Sequence, residues 1–330
     1  MAAIGTTTPT LYDLAEVTQN QAIMDVVFPL TEAQDLLKDA VYLEANDLTS
    51  HRITRNNKLV SGTWRQINKG IDAAKGAQTP VREEIGLIES RLEVDKKELD
   101  IAPNRQKFLE IQAKAHLEGM SNDIADALVL GSLATNSASI DGIETRYGLL
   151  ADTDGFGQSI CHDYGGTGSD LMSILAIQWG PGQVYVAYPR GSKTFGVVRE
   201  PRGVERVLDS DSKAYYAYVE RFEWNGGLVI EDDRCIRRIC NIESAGTSNN
   251  LVSATDVETL IEALVSMKTM GSGATLYMNR TAYAQLWKAQ KDKTNVDYQV
   301  SNPWKSPEYW FDGHRVRFTD SLLITESAVA

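Results

Sequence analysis

The sequence predicts a mixed α+β protein that completes its fold by assembling with further copies of itself. Three observations carry this prediction. An acidic start is followed by a basic segment with little apolar content, a long helical pattern comes next, and short β-type runs alternate with helical patterns after it. Extended segments bury their surface only against neighbouring molecules, so we expect an oligomer.

The composition of the 330-residue chain is that of a globular protein that needs no metal or disulfide to fold. Thirty-three basic and 45 acidic residues give a net charge of −12, which argues against wrapping nucleic acid by phosphate neutralisation. Three cysteines without a CxxC pair argue against a disulfide framework and a zinc site. No apolar run approaches the roughly 18 residues of a membrane span, so we expect no membrane partner.

The first hundred residues divide by charge. Lys38 is the only basic residue before His51, and residues 1–20 are predicted to form an extended arm, followed by a helical pattern over residues 31–45. Residues 50–100 carry many basic residues and glycines, and they read as a long hairpin excursion that something outside the chain covers. The acidic and basic segments could pair between copies, or they could be two solvated faces of a monomer.

Helical spacing predicts one long helix over residues 104–131. Apolar residues recur there at three- and four-residue steps, and Gly119 is predicted to be a weak point. The apolar positions are Phe108, Ile111, Ala115, Ile124, Ala127 and Leu128.

The remaining elements are predicted from capping residues, alternation and turn signals. Ser169 is expected to cap a short helix over 170–179, and Asn225-Gly226-Gly227 to turn a hairpin between runs 213–224 and 228–242. The other predictions are a strand over 183–189, a helix opened by Ser253 and Asp256, a strand over 274–278, a helix capped by Asn279, and a final β-type segment over 314–329.

Little in the sequence points to catalysis. The glycine-rich stretch Gly165–Ser169 could bind an anion, but it lacks the lysine of a phosphate-binding loop. Cys161 and His162 are adjacent, and neighbours on an extended chain point to opposite faces, which disfavours a catalytic pair. We therefore predict no enzyme, no cofactor and no metal, with an enzyme that uses Gly165–Ser169, Cys161 and His162 as the remote alternative.

Four stretches of the chain resemble the major capsid proteins of tailed phages, which have the Hong Kong 97-type fold, and within them the epsilon-15-type family. The stretches are GTWRQINKGIDAAKGAQTPVREEIGLIESRLEVD (62–95), GGTGSDLMSILAIQWGPGQVYVAYPRGS (165–192), WNGGLVIEDDRCIRRICNIE (224–243) and FDGHRVRFTDSLLITE (311–326).

The resemblance implies a division of the chain into known capsid regions. Residues 1–50 would be the N-terminal arm, and residues 51–100 the extended E-loop with its base strands. Residues 101–135 and 311–330 would form the peripheral domain, with its long spine helix and C-terminal strands. Residues 136–310 would be mainly the axial domain.

The function that the resemblance implies is self-assembly into an icosahedral shell around phage double-stranded DNA, without specific recognition of that DNA. The partners would be other copies in hexamers and pentamers, a separate scaffolding protein, a portal protein and a decoration protein. The place would be the virion capsid, assembled in the host bacterial cytoplasm. We expect Trp64, Arg65, Lys69 and Lys75 to contact adjacent subunits. An encapsulin-like compartment shell and an accessory decoration protein are the alternatives.

Overall fold

A computed structural model describes residues 34–58, 60–192, 196–245, 249–252, 257–290, 298–301 and 308–330. The chain divides into two compact units. The first contains residues up to Ser50 together with Glu84–Thr145 and Tyr185–Leu228, and the second contains His51–Glu83, Arg146–Val184 and Val229–Ala330.

The described residues form six α-helices and fourteen β-strands, numbered here in chain order. The helices are α1 (Asp35–Asp39), α2 (Lys96–Ile101), α3 (Arg105–Leu130), α4 (Ile143–Arg146), α5 (Val257–Ser266) and α6 (Arg280–Gln290). The strands are β1 (Tyr42–Glu44), β2 (Ser50–Lys58), β3 (Ala77–Glu84), β4 (Gly86–Asp95), β5 (Cys161–Asp163), β6 (Leu171–Ile177), β7 (Val184–Tyr188), β8 (Val197–Leu208), β9 (Ala214–Ile230), β10 (Ile236–Glu243), β11 (Thr275–Met278), β12 (Tyr298–Ser301), β13 (Glu308–Phe311) and β14 (His314–Phe318).

The predicted long helix is confirmed as α3, which packs on β4. The Asn104 side chain caps it by accepting a hydrogen bond from the Lys107 amide, and the helix runs without interruption through Gly119. Its buried face differs from the predicted one in the first half, because Ile111 is 59% exposed. The buried side chains of α3 include Ala113, Leu117, Met120, Ile124 and Leu128.

The sheet of the first unit has the order β1-β7-β9-β4, with β8 also paired to β9. Strand β9 joins β8 in a hairpin whose turn is made by Asp209, since its side chain accepts hydrogen bonds from the amides of Asp211 and Lys213. The predicted strand over 183–189 is confirmed as β7.

The second unit is built on a seven-stranded sheet of order β12-β13-β14-β11-β6-β10-β5. Helices α5 and α6 cover it through an apolar cluster that includes Ile174, Ile239, Leu264, Leu276 and Leu286. The predicted strand over 274–278 is confirmed as β11, and Asn279 caps α6 as predicted by accepting a hydrogen bond from the Thr281 amide. The predicted capping pair Ser253 and Asp256 lies outside the described residues.

The predicted helix over 170–179 is wrong, because residues 171–177 form the strand β6. All seven of its side chains are buried, with β10 on one side and β11 on the other. A strand buried on both faces shows no alternation, so its apolar run cannot be told from a buried helix by periodicity.

The predicted hairpin turn at Asn225-Gly226-Gly227 is also wrong, because β9 continues through these residues. The glycines serve close packing here. A Cβ on Gly226 would lie 2.4 Å from the Trp224 ring, and a Cβ on Gly227 would lie 2.3 Å from the carbonyl oxygen of Glu84. Here the glycines mark places where neighbouring atoms approach the strand backbone closely, and they do not mark a chain reversal.

Two further segments differ from their predicted form. Of the helical pattern over 31–45, the described residues form only the five-residue helix α1 and then the strand β1. The final segment is a strand only as far as Phe318. Strand β14 pairs with β11, so residues 314–318 lie in the seven-stranded sheet, whereas the long hairpin β8–β9 pairs with β4 beside α3. Such pairings join residues far apart in sequence and leave no local mark.

Candidate subunit interface

A two-stranded ribbon made of β2 and β3 carries an exposed excursion, defined here as residues 60–76. None of these residues belongs to a strand or helix, and every residue from 60 to 75 is exposed. The chain turns at its tip, where the Lys69 amide donates to the Gln66 carbonyl oxygen and Asn68 adopts the left-handed conformation. The excursion therefore offers its side chains to a partner and buries none of them in its own subunit.

The excursion presents all four residues that the sequence predicted as subunit contacts. Trp64 has a relative exposure of 102%, and Arg65, Lys69 and Lys75 are exposed as well. Whether they touch a neighbouring subunit stays a prediction.

Sequence reasoning missed two further side chains on the same excursion. Ile67 is 88% exposed and Ile71 is 59% exposed, close in sequence to Trp64. Exposed apolar groups rimmed by polar ones mark interaction surfaces, and tryptophan is enriched among residues that dominate interface energies. The signal was present in the sequence as a tryptophan and two isoleucines within eight positions of a glycine-punctuated segment.

The excursion is basic although the chain is acidic. It holds three basic residues, Arg65, Lys69 and Lys75, against the single acid Asp72, in a chain of net charge −12. A basic, partly apolar surface is attracted to an acidic partner surface, and other copies of this acidic chain supply one.

Ion pairs hold the base of the ribbon. The Glu83 carboxylate on β3 contacts Arg55 on β2 at 3.1 Å and Arg146 at the end of α4 at 2.7 Å. Arg55 also contacts Asp233 at 3.2 Å. Glu83 is the buried member of this set, with a relative exposure of 4%.

The glycine-rich stretch Gly165–Ser169 has no helix behind it, because the element that follows is the strand β6. The amide array of a helix N-terminus, which the anion-binding alternative required, is therefore missing here. Gly166 is explained by packing, since a Cβ on it would lie 2.4 Å from the Asn241 carbonyl oxygen.

Cys161 and His162 do not pair with each other. The Cys161 thiol is buried and donates to the Tyr147 carbonyl oxygen at 3.4 Å, whereas Nε2 of His162 lies 3.3 Å from the Ser266 hydroxyl. Burial raises the pKa of the Cys161 thiol to about 11 and lowers the pKa of His162. A thiol with so high a pKa stays protonated at neutral pH and is a poor nucleophile.

The two other cysteines have the same character. Burial raises the pKa of Cys235 to about 11 and that of Cys240 to about 12. All three thiols are free, and the described part of the chain contains no group of three or more residues able to hold a metal ion.

A groove of about 780 Å³ lies beside α3 in the first unit. Three of its polar side chains bond to one another, because Arg199 donates two hydrogen bonds to Glu220, each at 3.0 Å, and the Tyr218 hydroxyl donates a third at 3.2 Å. Burial and the Glu220 charge raise the pKa of Tyr218. The Glu220 carboxylate in the groove is therefore already engaged by Arg199 and Tyr218. Its lining includes Leu99, Leu109, Ala113, Leu117, Arg199 and Glu220.

Among the helices formed by the described residues, none is both long and apolar enough to cross a membrane.

Comparison with known proteins identifies what the chain is similar to. A family model described as "Major capsid protein GP7" matches residues 18–330. No curated protein sequence matches the chain.

Two solved structures share the fold. A structure of bacteriophage Epsilon15 is similar with 24% sequence identity and a TM-score of 0.65, over 100% of this chain and 99% of that one. The bacteriophage JBD30 capsid is similar with 14% identity and a TM-score of 0.54, over 97% and 99% of the respective chains. The predicted Hong Kong 97-type fold is confirmed by these likenesses.

Proposed function

This chain belongs to the GP7 family of major capsid proteins, and from that premise we propose that its subunits join through the excursion over residues 60–76. A major capsid protein forms the shell of a phage virion, so its role is structural. The joining surface would consist of Trp64, Ile67 and Ile71, with Arg65, Lys69 and Lys75 around them. The observation that carries the proposal is the complete exposure of Trp64 in the excursion that the ribbon β2–β3 carries.

Burial of these side chains is the driving force that we assign to the contact. Removing apolar surface from water stabilises a complex by about 25 cal/mol per Å², and an exposed tryptophan offers one of the largest such surfaces. One such contact is modest. A closed shell repeats it in every subunit, so the assembly becomes stable through multivalency.

The regions of the shell follow from the same premise. The resemblance divides the chain into a peripheral domain of residues 101–135 and 311–330 and an axial domain of mainly residues 136–310. Guided by the two compact units, we propose that the first unit, with α3 as spine helix, is the peripheral domain and that the second, with its seven-stranded sheet, is the axial domain. Residues 51–100, which include the ribbon β2–β3 and its excursion, would be the E-loop with its base strands, and residues 1–50 the N-terminal arm. Axial domains would meet at the centres of hexamers and pentamers.

The remaining partners are proposals of the same kind. A separate scaffolding protein and a portal protein would take part in assembly in the host bacterial cytoplasm, and a decoration protein could bind the finished shell. The net charge of −12 is consistent with a shell that encloses double-stranded DNA without binding it tightly, because the chain and the DNA phosphates are both negatively charged. We propose that the chain has no catalytic activity, because its three thiols are buried with raised pKa values and Cys161 does not pair with His162.

The test replaces Trp64, Arg65, Lys69 and Lys75 by alanine in one variant. We expect the unassembled subunit to keep its circular dichroism spectrum and melting temperature, because these side chains are exposed in the subunit. Particle yield, measured by sedimentation and electron microscopy, should fall by about tenfold or more, since loss of about 1.4 kcal/mol per contact already changes an equilibrium tenfold.

A conservative variant is the matched control. It carries Trp64→Phe, Arg65→Lys, Lys69→Arg and Lys75→Arg, which keep the charge and an aromatic ring, and it should assemble far better than the alanine variant. Normal particles from the alanine variant would contradict the proposal. The nucleic acid content of the particles separates a phage shell from an encapsulin-like compartment.

A further inference from the structure

We propose that Glu83 is a positioning residue for assembly, because its buried carboxylate fixes the direction in which the excursion leaves the body of the second unit. The inference rests on the proposed function, in which the excursion contacts a neighbouring subunit. It adds an account of how a subunit holds that excursion ready before any neighbour arrives.

Glu83 makes a bridge within the second unit. Its carboxylate accepts hydrogen bonds from Nη2 of Arg55 at 3.1 Å and from Nη1 of Arg146 at 2.7 Å. The Glu83 side chain is 5% exposed, and the two arginine side chains are 19% and 17% exposed. One carboxylate thus ties both strands of the ribbon to the end of α4, in surroundings where ion pairs are only weakly screened.

The bridge from Glu83 continues through Arg55. Its Nη1 contacts Asp233 at 3.2 Å, and its Nε donates to the Ile230 carbonyl oxygen at 2.8 Å. The Tyr147 hydroxyl donates to Asp233 at 2.7 Å. Strand β2 is therefore held at two points, the last residue of β9 and Asp233 just beyond it.

Few apolar side chains anchor the ribbon β2–β3 to the second unit. Glu83 is the only buried side chain on β3. On β2, among residues 50–55, whose burial is described, only Ser50 and Ile53 are buried. A two-stranded ribbon is marginally stable by itself, so the ion-pair bridge contributes to anchoring it where apolar packing is sparse.

Ion pairs suit this task because they specify a geometry. A buried pair adds little net stability compared with apolar packing, but it holds its partners in one arrangement. The nine residues of β2 extend about 30 Å, so a tilt of about 10° at the base would displace the tip by about 5 Å. Such a displacement is enough to carry Trp64 away from its contact on a neighbouring subunit.

The experiment replaces Glu83 by glutamine and compares it with Glu89→Gln. Glu89 pairs with Arg221 on the exposed surface of the first unit, so the control removes the same charge without touching the ribbon. In unassembled Glu83→Gln subunits we expect amide hydrogen exchange in β2 and β3 to accelerate by about tenfold, with exchange in β6 and β10 unchanged. Particle yield should fall at least about fivefold, or particle diameters should become heterogeneous; the control should match the wild type in both measurements.

A double-mutant cycle with Trp64→Ala separates positioning from a general structural role. If Glu83 acts through the excursion, Glu83→Gln will reduce particle yield much less in the Trp64→Ala background than in the wild type. Equal fold-reductions in both backgrounds would overturn the inference, as would unchanged exchange in β2 and β3. Should Glu83→Gln fail to fold, Arg146→Gln removes only one of the two contacts to Glu83 and is carried through the same cycle.

The two hypotheses fail in different ways. Normal assembly of Trp64→Ala would contradict the proposed function. Impaired assembly of Trp64→Ala together with normal assembly of Glu83→Gln would contradict only the positioning role of Glu83.

Discussion

At the scale of single residues, the second unit is organised around two buried arginines that follow each other on β10. Arg237 contacts Asp154 at 2.9 Å with both side chains fully buried, and Arg238 contacts Glu326 at 2.8 Å. Ser173 adds a hydrogen bond to the Glu326 carboxylate at 2.6 Å. These pairs join segments far apart in the chain, so no local pattern in the sequence announces them.

The pair Arg237–Asp154 gives the first stability prediction. Asp154→Asn leaves the Arg237 charge buried without its partner, which we expect to reduce the free energy of unfolding by about 3–5 kcal/mol. Urea unfolding of the unassembled subunit measures the change. The control is Asp211→Asn, which breaks the exposed pair with Lys213 and should cost less than about 1 kcal/mol. Equal losses in the two variants would contradict the account of the buried pair.

At the scale of secondary-structure elements, glycine has opposite meanings in α3 and β9. Gly119 lies on the exposed side of α3, and a Cβ placed on it meets no atom within 4 Å. Gly227 lies in β9, where a Cβ would be 2.3 Å from the Glu84 carbonyl oxygen. The first glycine costs helix stability, whereas the second permits two backbones to approach.

The same substitution at these two positions should therefore change stability in opposite directions. Gly119→Ala is expected to raise the free energy of unfolding by about 0.5–1 kcal/mol, because alanine favours the helix. Gly227→Ala is expected to lower it by about 1–3 kcal/mol, because backbone atoms must move to relieve the clash. Thermal or chemical unfolding of unassembled subunits measures both changes in the free energy of unfolding. Changes in the same direction would contradict the roles assigned to the two glycines.

Elements with a periodic pattern and a clear cap could be predicted from the sequence. The helix α3 and the cap Asn279 of α6 are of this kind. Strand β6 could not be predicted from the sequence, because burial on both faces removes the alternation that marks a strand. Strand β9 was divided in two at Asn225-Gly226-Gly227, since a glycine required by packing looks in sequence like a glycine required by a turn.

The candidate interface was predictable in part for a similar reason. Trp64, Arg65, Lys69 and Lys75 stand in a segment too polar to form a core, so their exposure follows from composition. From the sequence alone, Ile67 and Ile71 are expected in a strand or a core, whereas the structure shows that both are exposed. Glu83 carries no sequence mark, because its role depends on Arg55 and Arg146, which reach it from other elements.

At the scale of the whole molecule, the chain is a major capsid protein whose excursion lies outside its own core. Its body has two well-packed units, and its excursion leaves a tryptophan and two isoleucines in solvent. The single subunit therefore leaves apolar surface in solvent, and we propose that a neighbouring copy covers it. Under that proposal, shell formation repeats the contact around a closed surface.

The most direct measurement is a cryo-electron microscopy reconstruction of particles assembled from this chain, with the solvent exposure of Trp64 read in the shell. The account predicts a closed shell in which residues 60–76 lie against an adjacent subunit and Trp64, exposed in the single subunit, is buried there. A shell in which Trp64 remains open to solvent, or a protein that stays a stable monomer under assembly conditions, would contradict it.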